Sequence, residues 1–125
     1  MKTKRTYRCF SWLLLPIAWM ALIYWFSDQP VLAGFELYLV DFLLKKTAHL
    51  LIYAGLFWSW WRVIRECGWS RRPAAWATII VLCLAYACFD EWHQSWTPTR
   101  MATARDVVVD MVGVTMAALW TGRWL

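Results

Sequence analysis

The fold of this chain is decided by residues 90–110, which read DEWHQSWTPTRMATARDVVVD. The segment holds four carboxylates, one histidine and two arginines, and strongly apolar sequence lies on both sides of it. Charged groups beside hydrocarbon are costly, so they usually have a function or a charged partner. Residues 90–110 therefore predict where a site lies, although they do not by themselves name a reaction.

The composition indicates an integral membrane protein. Hydrophobic residues make up 62% of the 125 residues, well above the roughly 45–50% of soluble domains. The twelve tryptophans suit the aromatic belts at a membrane surface better than a small soluble core. The net charge of +5 is spread in short basic blocks between apolar runs, which is a topology signal and not a nucleic-acid-binding surface. We therefore predict a single membrane domain over residues 1–125 with no nucleic-acid partner.

Four apolar runs predict an all-α fold, an integral membrane bundle of four helices. The spans are approximately residues 10–26, 46–64, 74–89 and 107–120. The first run follows basic residues but lacks a small-residue cleavage site, so we expect an uncleaved helix. Residues 31–44 are apolar, carry two acids and are short for a span. They favour a short interfacial or re-entrant helix between spans one and two.

The distribution of charge predicts the orientation of the chain. The N-terminal tail, residues 62–73 and Arg123 hold nine basic residues and one acid, whereas the opposite side holds four basic residues and seven acids. Lys and Arg concentrate on the cytoplasmic side of a membrane. Both termini are therefore predicted to be cytoplasmic, and residues 90–110 are predicted to lie at the outer face.

The cysteines give no sign of a disulfide framework. Cys83 and Cys88 lie within an apolar run, Cys9 and Cys67 lie beside basic blocks, and none has CxxC spacing. We expect four free thiols with packing roles.

Two predicted helices carry polar residues along one face. Lys46, His49 and Tyr53 have i, i+3, i+7 spacing, which places them within a narrow arc of a helix. Asp106 and Asp110 are four residues apart in the fourth span. Under the predicted topology both faces enter the membrane from outside, where the end of the third span adds more polar groups. All of them lie within roughly one or two turns of the surface.

These groups define the candidate site. The candidate catalytic residues, two histidines with carboxylate partners, are His49, His93, Asp90 and Asp106. The candidate ligand-binding residues, which include cations suited to a lipid phosphate, are Lys46, Tyr53, Glu91, Gln94, Arg100, Arg105 and Asp110.

Two other interpretations of the same residues stay open. Histidines and carboxylates are metal ligands, but nearby cations and the lack of metal-motif spacing argue against a tight site. We therefore predict no metal ligands and leave the cofactor unknown. Alternatively, four acids and four basic residues in this region balance as a purely structural ion-pair network.

Several separated motifs occur in a fixed order. They are Ser27-Asp28-Gln29, Lys46-x-x-His49-x-x-x-Tyr53, Asp90-Glu91-x-His93-Gln94, Pro98-x-Arg100 and Arg105-Asp106-x-x-x-Asp110-x-x-Gly113. Together they resemble the VanZ-like membrane protein family over nearly the whole chain. Two positions depart from the common pattern: Thr99 stands where the family often has Gly, and Asp110 stands where Asn also occurs.

The resemblance implies a small bacterial protein of the cytoplasmic (inner) membrane, linked to the cell envelope. The family is named for an accessory protein of glycopeptide resistance, associated with teicoplanin. Our first hypothesis is a pocket for an anionic component, either a polyprenyl-phosphate-linked precursor or a glycopeptide, in contact with membrane lipids. The alternatives are a membrane-embedded hydrolase or transferase acting on a lipid phosphate, and a structural or partner-binding subunit. Enzymatic activity and oligomeric state are left open.

Overall fold

The structure, a computed structural model, describes residues 2–28, 38–98 and 101–123. All regular structure in these residues is helical, which confirms the predicted all-α class. The helices are α1 (Lys2–Trp12), α2 (Leu14–Ser27), α3 (Tyr38–Glu66), α4 (Pro73–Gln94) and α5 (Ala104–Gly122). Because α1 and α2 are separated by one residue, the described chain forms four helical rods.

Two of these rods are long and apolar enough to cross a membrane, Thr6–Ser27 and Pro73–Gln94. They correspond to the first and third predicted spans. α3 and α5 carry the polar residues of the candidate site, and for them a membrane-spanning role stays a prediction. Large apolar side chains such as Leu14, Val81 and Leu119 point away from the protein, as expected for helices surrounded by lipid.

Proline and glycine set the helix boundaries. Pro16 has no N–H to donate to the carbonyl of Trp12, and the first rod is interrupted there, at Leu13. α3 ends at Glu66, and Gly68 follows in the turn with a φ of 75°, which is readily adopted only by glycine. α4 begins at Pro73, a first-turn position where the missing N–H leaves no hydrogen bond unmade.

α3 is the central helix, and it packs against every other helix. Its closest approach is to α5, because a Cβ placed on Gly113 would collide with the backbone carbonyl oxygen of Leu50. Gly55, on α3, lies under the indole of Trp19, whose N–H donates to the Ile52 carbonyl at 2.8 Å. At both positions the absence of a side chain permits close packing of the helices.

The apolar core lies directly beside the polar cluster. Tyr53, Phe57, Ile79 and Val114 are almost completely buried within it. Because one face of α3 contributes both to the core and to the cluster, packing of the core fixes the height and rotation of the polar residues.

The prediction of a separate interfacial helix is wrong for the part of it that the structure describes. Residues 38–44 are the first two turns of α3, which runs without interruption for 29 residues; residues 31–37 lie outside the described chain. The polar positions 36, 41 and 45 recur at roughly helical spacing, which suggested a separate amphipathic helix, but positions 41 and 45 belong to α3 itself. The helical part of residues 90–110 was also underestimated, since α4 continues through Gln94.

The prediction of four free thiols is wrong for two of the cysteines. Cys9 and Cys67 form a disulfide with a Cα–Cα distance of 5.0 Å, while Cys83 and Cys88 are free. Local spacing cannot reveal such a pair, because α1 and the end of α3 become neighbours only through helix packing. The ion pair between Arg8 and Glu66, at 3.4 Å, joins the same two segments.

Gly113→Ala should destabilise the protein by about 1–3 kcal/mol, because the added methyl group meets backbone that cannot rotate away. Gly122→Ala is the matched control, since nothing lies within 4 Å of a Cβ at that position of the same helix. Reversible unfolding in detergent measures both variants. Equal stability of Gly113→Ala and Gly122→Ala would contradict the close approach of α3 and α5.

Candidate functional site

Two ion pairs join α3 to α5. Lys46 contacts Asp106, and His49 Nδ1 lies 3.0 Å from Asp110 Oδ1. The two helices run parallel, so residues one turn apart on α3 face residues one turn apart on α5. Asp110 is completely buried, whereas the other three side chains keep about a fifth to a quarter of their surface exposed.

Asp90, in the last turns of α4, accepts hydrogen bonds from three neutral donors. Ser27 at the end of α2 donates to Oδ1. Tyr53 of α3 and Gln94 of α4 donate to Oδ2 at 3.3 and 3.2 Å. Asp90 is only 2% exposed, so these donors replace the water that the carboxylate loses on burial. One carboxylate thereby ties three helices together.

The loop before α5 is held to the same end of α4. The backbone N–H of Thr103 donates to Glu91 Oε2, and its hydroxyl donates to Asp106 Oδ2, both at 3.0 Å. The other Glu91 oxygen is buried and has no hydrogen-bond partner in the part of the chain that the structure describes. The loop thus places the start of α5, and with it Asp106, beside α3.

His93 lies beside the cluster, among aromatic rings. Its ring stacks on Tyr24 with the centroids 4.3 Å apart and also contacts Phe89 and Trp96. Within the described chain it donates to no carboxylate, and its Nδ1 is buried without a partner. Of the two histidines, His49 is therefore the one that the fold joins to a carboxylate.

The two arginines predicted for the site differ in what the structure says of them. Arg105 is exposed on the first turn of α5, and Arg100 lies outside the described residues. Of the ion pairs that the sequence suggested, Lys46 does pair with an acid. The described partners of Asp90 include Ser27 and Tyr53, which are neutral.

A small cleft opens onto the cluster between α2 and α3, with a volume of about 150 Å³. Its lining combines apolar and polar side chains, and the nine lining residues are Ile23, Phe26, Ser27, Lys45, Ala48, His49, Ile52, Tyr53 and Asp90. This arrangement presents a cation, an imidazole, a hydroxyl and a carboxylate to one small volume. It is suited to holding a polar group that is attached to an apolar chain.

Sequence reasoning missed three contributors to the site: Ser27, Lys45 and Thr103. Ser27 was visible only as part of a motif at the end of the first span, and its bond to Asp90 depends on tertiary packing. Thr103 had a local signal, since a threonine three residues before an acid is typical of a helix start. Lys45 was counted as charge and not as a lining residue, because its neighbour Lys46 occupied the polar face.

Comparison with known proteins gives one match. A family model described as VanZ/LLP1 matches residues 12–122, which include every described residue of the cluster. No curated protein and no solved structure matches the chain significantly.

Asp90→Ala should destabilise the protein by about 3 kcal/mol or more, because it leaves buried donors from three helices without an acceptor. Asp28→Ala is the matched control: it removes the same group from an exposed position next to Ser27 and should change stability by less than about 0.5 kcal/mol. Denaturant unfolding in detergent gives both values. A small effect of Asp90→Ala would show that the carboxylate does not join the helices.

Proposed function

The chain belongs to the VanZ/LLP1 family, and from that premise we propose that it is a cell-envelope membrane protein whose cleft binds the anionic head group of a lipid or lipid-linked precursor. The family match and the two apolar rods indicate a membrane protein. The observation that carries the proposal is the amphiphilic lining of the cleft.

The mixed lining of the cleft suits the two parts of an amphiphile. Ile23, Phe26 and Ile52 contribute apolar surface to the lining, while Lys45 and His49 contribute polar groups. Ammonium and imidazole groups donate charge-assisted hydrogen bonds to phosphate oxygens. An acyl or prenyl chain lying along the apolar surface would stay in contact with the surrounding hydrocarbon while its head group enters the cleft.

The size of the cleft selects among the ligands that the sequence left open. At about 150 Å³ it is smaller than the roughly 300–1,000 Å³ of pockets that enclose drug-sized ligands. A phosphate-sized head group fits this volume, whereas a glycopeptide antibiotic does not. A role in glycopeptide resistance, including teicoplanin, would then act through a lipid-linked precursor and not through capture of the drug.

The proposed orientation places the cleft at the outer face. The N-terminal tail, residues 62–73 and Arg123 hold nine of the thirteen Lys and Arg residues, which favours the cytoplasm for both termini.

Alkaline phosphatase fused after Pro98 should be active, and the same enzyme fused to the C-terminus should be inactive. The Cys9–Cys67 disulfide lies at the predicted cytoplasmic end of the molecule, and a reducing cytoplasm disfavours disulfides. A disulfide that is still intact in cells, trapped by alkylation before lysis, would therefore contradict this orientation.

Lipid binding should depend on the phosphate and on Lys45. Native mass spectrometry of the purified protein with a short polyprenyl phosphate and the matching polyprenol should show at least tenfold tighter binding of the phosphate. Lys45→Gln should weaken phosphate binding about tenfold, equivalent to about 1.4 kcal/mol. Arg71→Gln removes one charge at the opposite end and should have no effect. Equal binding of both lipids, or equal losses in both variants, would refute the proposal.

A lipid-phosphate hydrolase or transferase is the second candidate, and the pairing of His49 with Asp110 favours it. A carboxylate that orients an imidazole is a common acid–base arrangement, and His49 also lines the cleft. In the same incubation, release of inorganic phosphate that is lost in His49→Ala would establish an enzyme. Bound lipid recovered unchanged would support the binding function alone.

A further inference from the structure

Three helices bring a histidine and two carboxylates to one point. Donor atoms of His49, Asp90 and Asp110 all lie within 4.8 Å of one another. Asp110 is fully buried and Asp90 nearly so, while His49 is partly exposed. Imidazole nitrogen and carboxylate oxygen are common ligands of divalent metal ions.

One carboxylate oxygen of this cluster lacks a described hydrogen-bond partner. Asp110 Oδ1 contacts His49, but Oδ2 is buried and has no hydrogen-bond partner among residues 2–28, 38–98 and 101–123. A buried carboxylate oxygen without a partner costs about 1–3 kcal/mol or more, and such atoms often mark the position of an ion or water. This observation is independent of the clustering, because three grouped side chains could all have satisfied one another.

The charges near this oxygen also point to a cation. Glu91 interacts electrostatically with both Asp90 and Asp110, so three carboxylates share a small buried region. Of the described cations nearby, Lys46 is engaged by Asp106 and Lys45 lines the cleft. Buried carboxylates are stabilised by a close positive charge, and a divalent ion held between them would supply one.

We propose that His49, Asp90 and Asp110 bind one divalent first-row transition-metal ion, with Zn²⁺ and Mn²⁺ as the candidates. Imidazole suits Zn²⁺ and carboxylates suit Mn²⁺. Three protein ligands leave a coordination position for an exogenous oxygen, and both His49 and Asp90 line the cleft. The metal site requires no bound lipid, so it can be tested independently of the proposed head-group function.

The surrounding residues fit the role of supporting a metal ligand. Ser27, Tyr53 and Gln94 hydrogen-bond to Asp90 and would fix its orientation, as partners of metal ligands commonly do. The sequence disfavoured a metal because cations are near the candidate ligands and because it has no local ligand spacing. Because the three ligands lie on α3, α4 and α5, they are far apart in the sequence and form no short ligand motif.

The full-length protein, purified in detergent and stripped with EDTA, should take up one Zn²⁺ or Mn²⁺ per chain in isothermal titration and native mass spectrometry. His49→Gln and Asp110→Asn should each weaken binding more than about tenfold. His93→Gln is the matched control, since it changes the only other histidine, and it should bind normally. No stoichiometric uptake by the wild type, or equal affinity in His49→Gln, would overturn the proposal.

Cobalt substitution keeps the test valid if a ligand variant does not fold. Co²⁺ bound to the wild type should show the visible d–d absorption of nitrogen and oxygen coordination. A thiolate charge-transfer band would instead assign the ion to Cys83, Cys88 or the reduced Cys9–Cys67 pair, and would overturn the proposal. Head-group binding measured with and without EDTA separates the two claims, because binding unaffected by EDTA leaves the lipid function intact even if the metal site fails.

Discussion

The burial of Asp110 is the constraint on which the rest of this structure depends. Its carboxylate is completely excluded from solvent, and Oδ1 lies 3.0 Å from Nδ1 of the His49 ring. A charge in this position is tolerated only if a partner is close and correctly oriented. Gly113, one turn further along α5, allows that closeness because it lets the α5 backbone reach the Leu50 carbonyl next to His49.

The other helices contribute to the same small region. α4 ends there with Asp90 and Glu91, and α2 ends there with Ser27, whose hydroxyl donates to Asp90. Polar groups surrounded by hydrocarbon have few hydrogen-bonding partners outside the protein. The polar side chains at each helix end therefore bond to groups of another helix. The result is one polar cluster above an apolar core, with a cleft that reaches it from the side facing α2. The opposite end of the molecule carries most of the basic residues and none of this cluster.

The sequence predicted the parts of this arrangement that are periodic. The spacing of Lys46, His49 and Tyr53 put them on one helical face, and the structure has all three in contact with carboxylates. Apolar runs located the helices to within about two turns. The same information could not show how far α3 extends toward its N-terminus, because hydropathy registers a polar residue in the same way inside a helix and at its boundary.

Partners that meet only through tertiary packing were beyond sequence reasoning. The Cys9–Cys67 disulfide and the Ser27–Asp90 hydrogen bond join residues 58 and 63 positions apart, and nothing in local spacing relates them. His93 and His49 looked equivalent in sequence, yet one is enclosed by aromatic rings and the other faces Asp110. What distinguishes them is the rotation of each helix about its axis, which is set by the packing of the whole core.

The most direct test of this account is a double-mutant cycle between His49 and Asp110, measured by unfolding in detergent with EDTA present. If the two side chains are in contact, His49→Ala and Asp110→Asn should be coupled by at least about 1 kcal/mol. Effects that add to within about 0.3–0.5 kcal/mol would mean that the two residues do not meet. That result would contradict the His49–Asp110 contact, on which the polar cluster, the proposed function of the cleft and the metal site all depend.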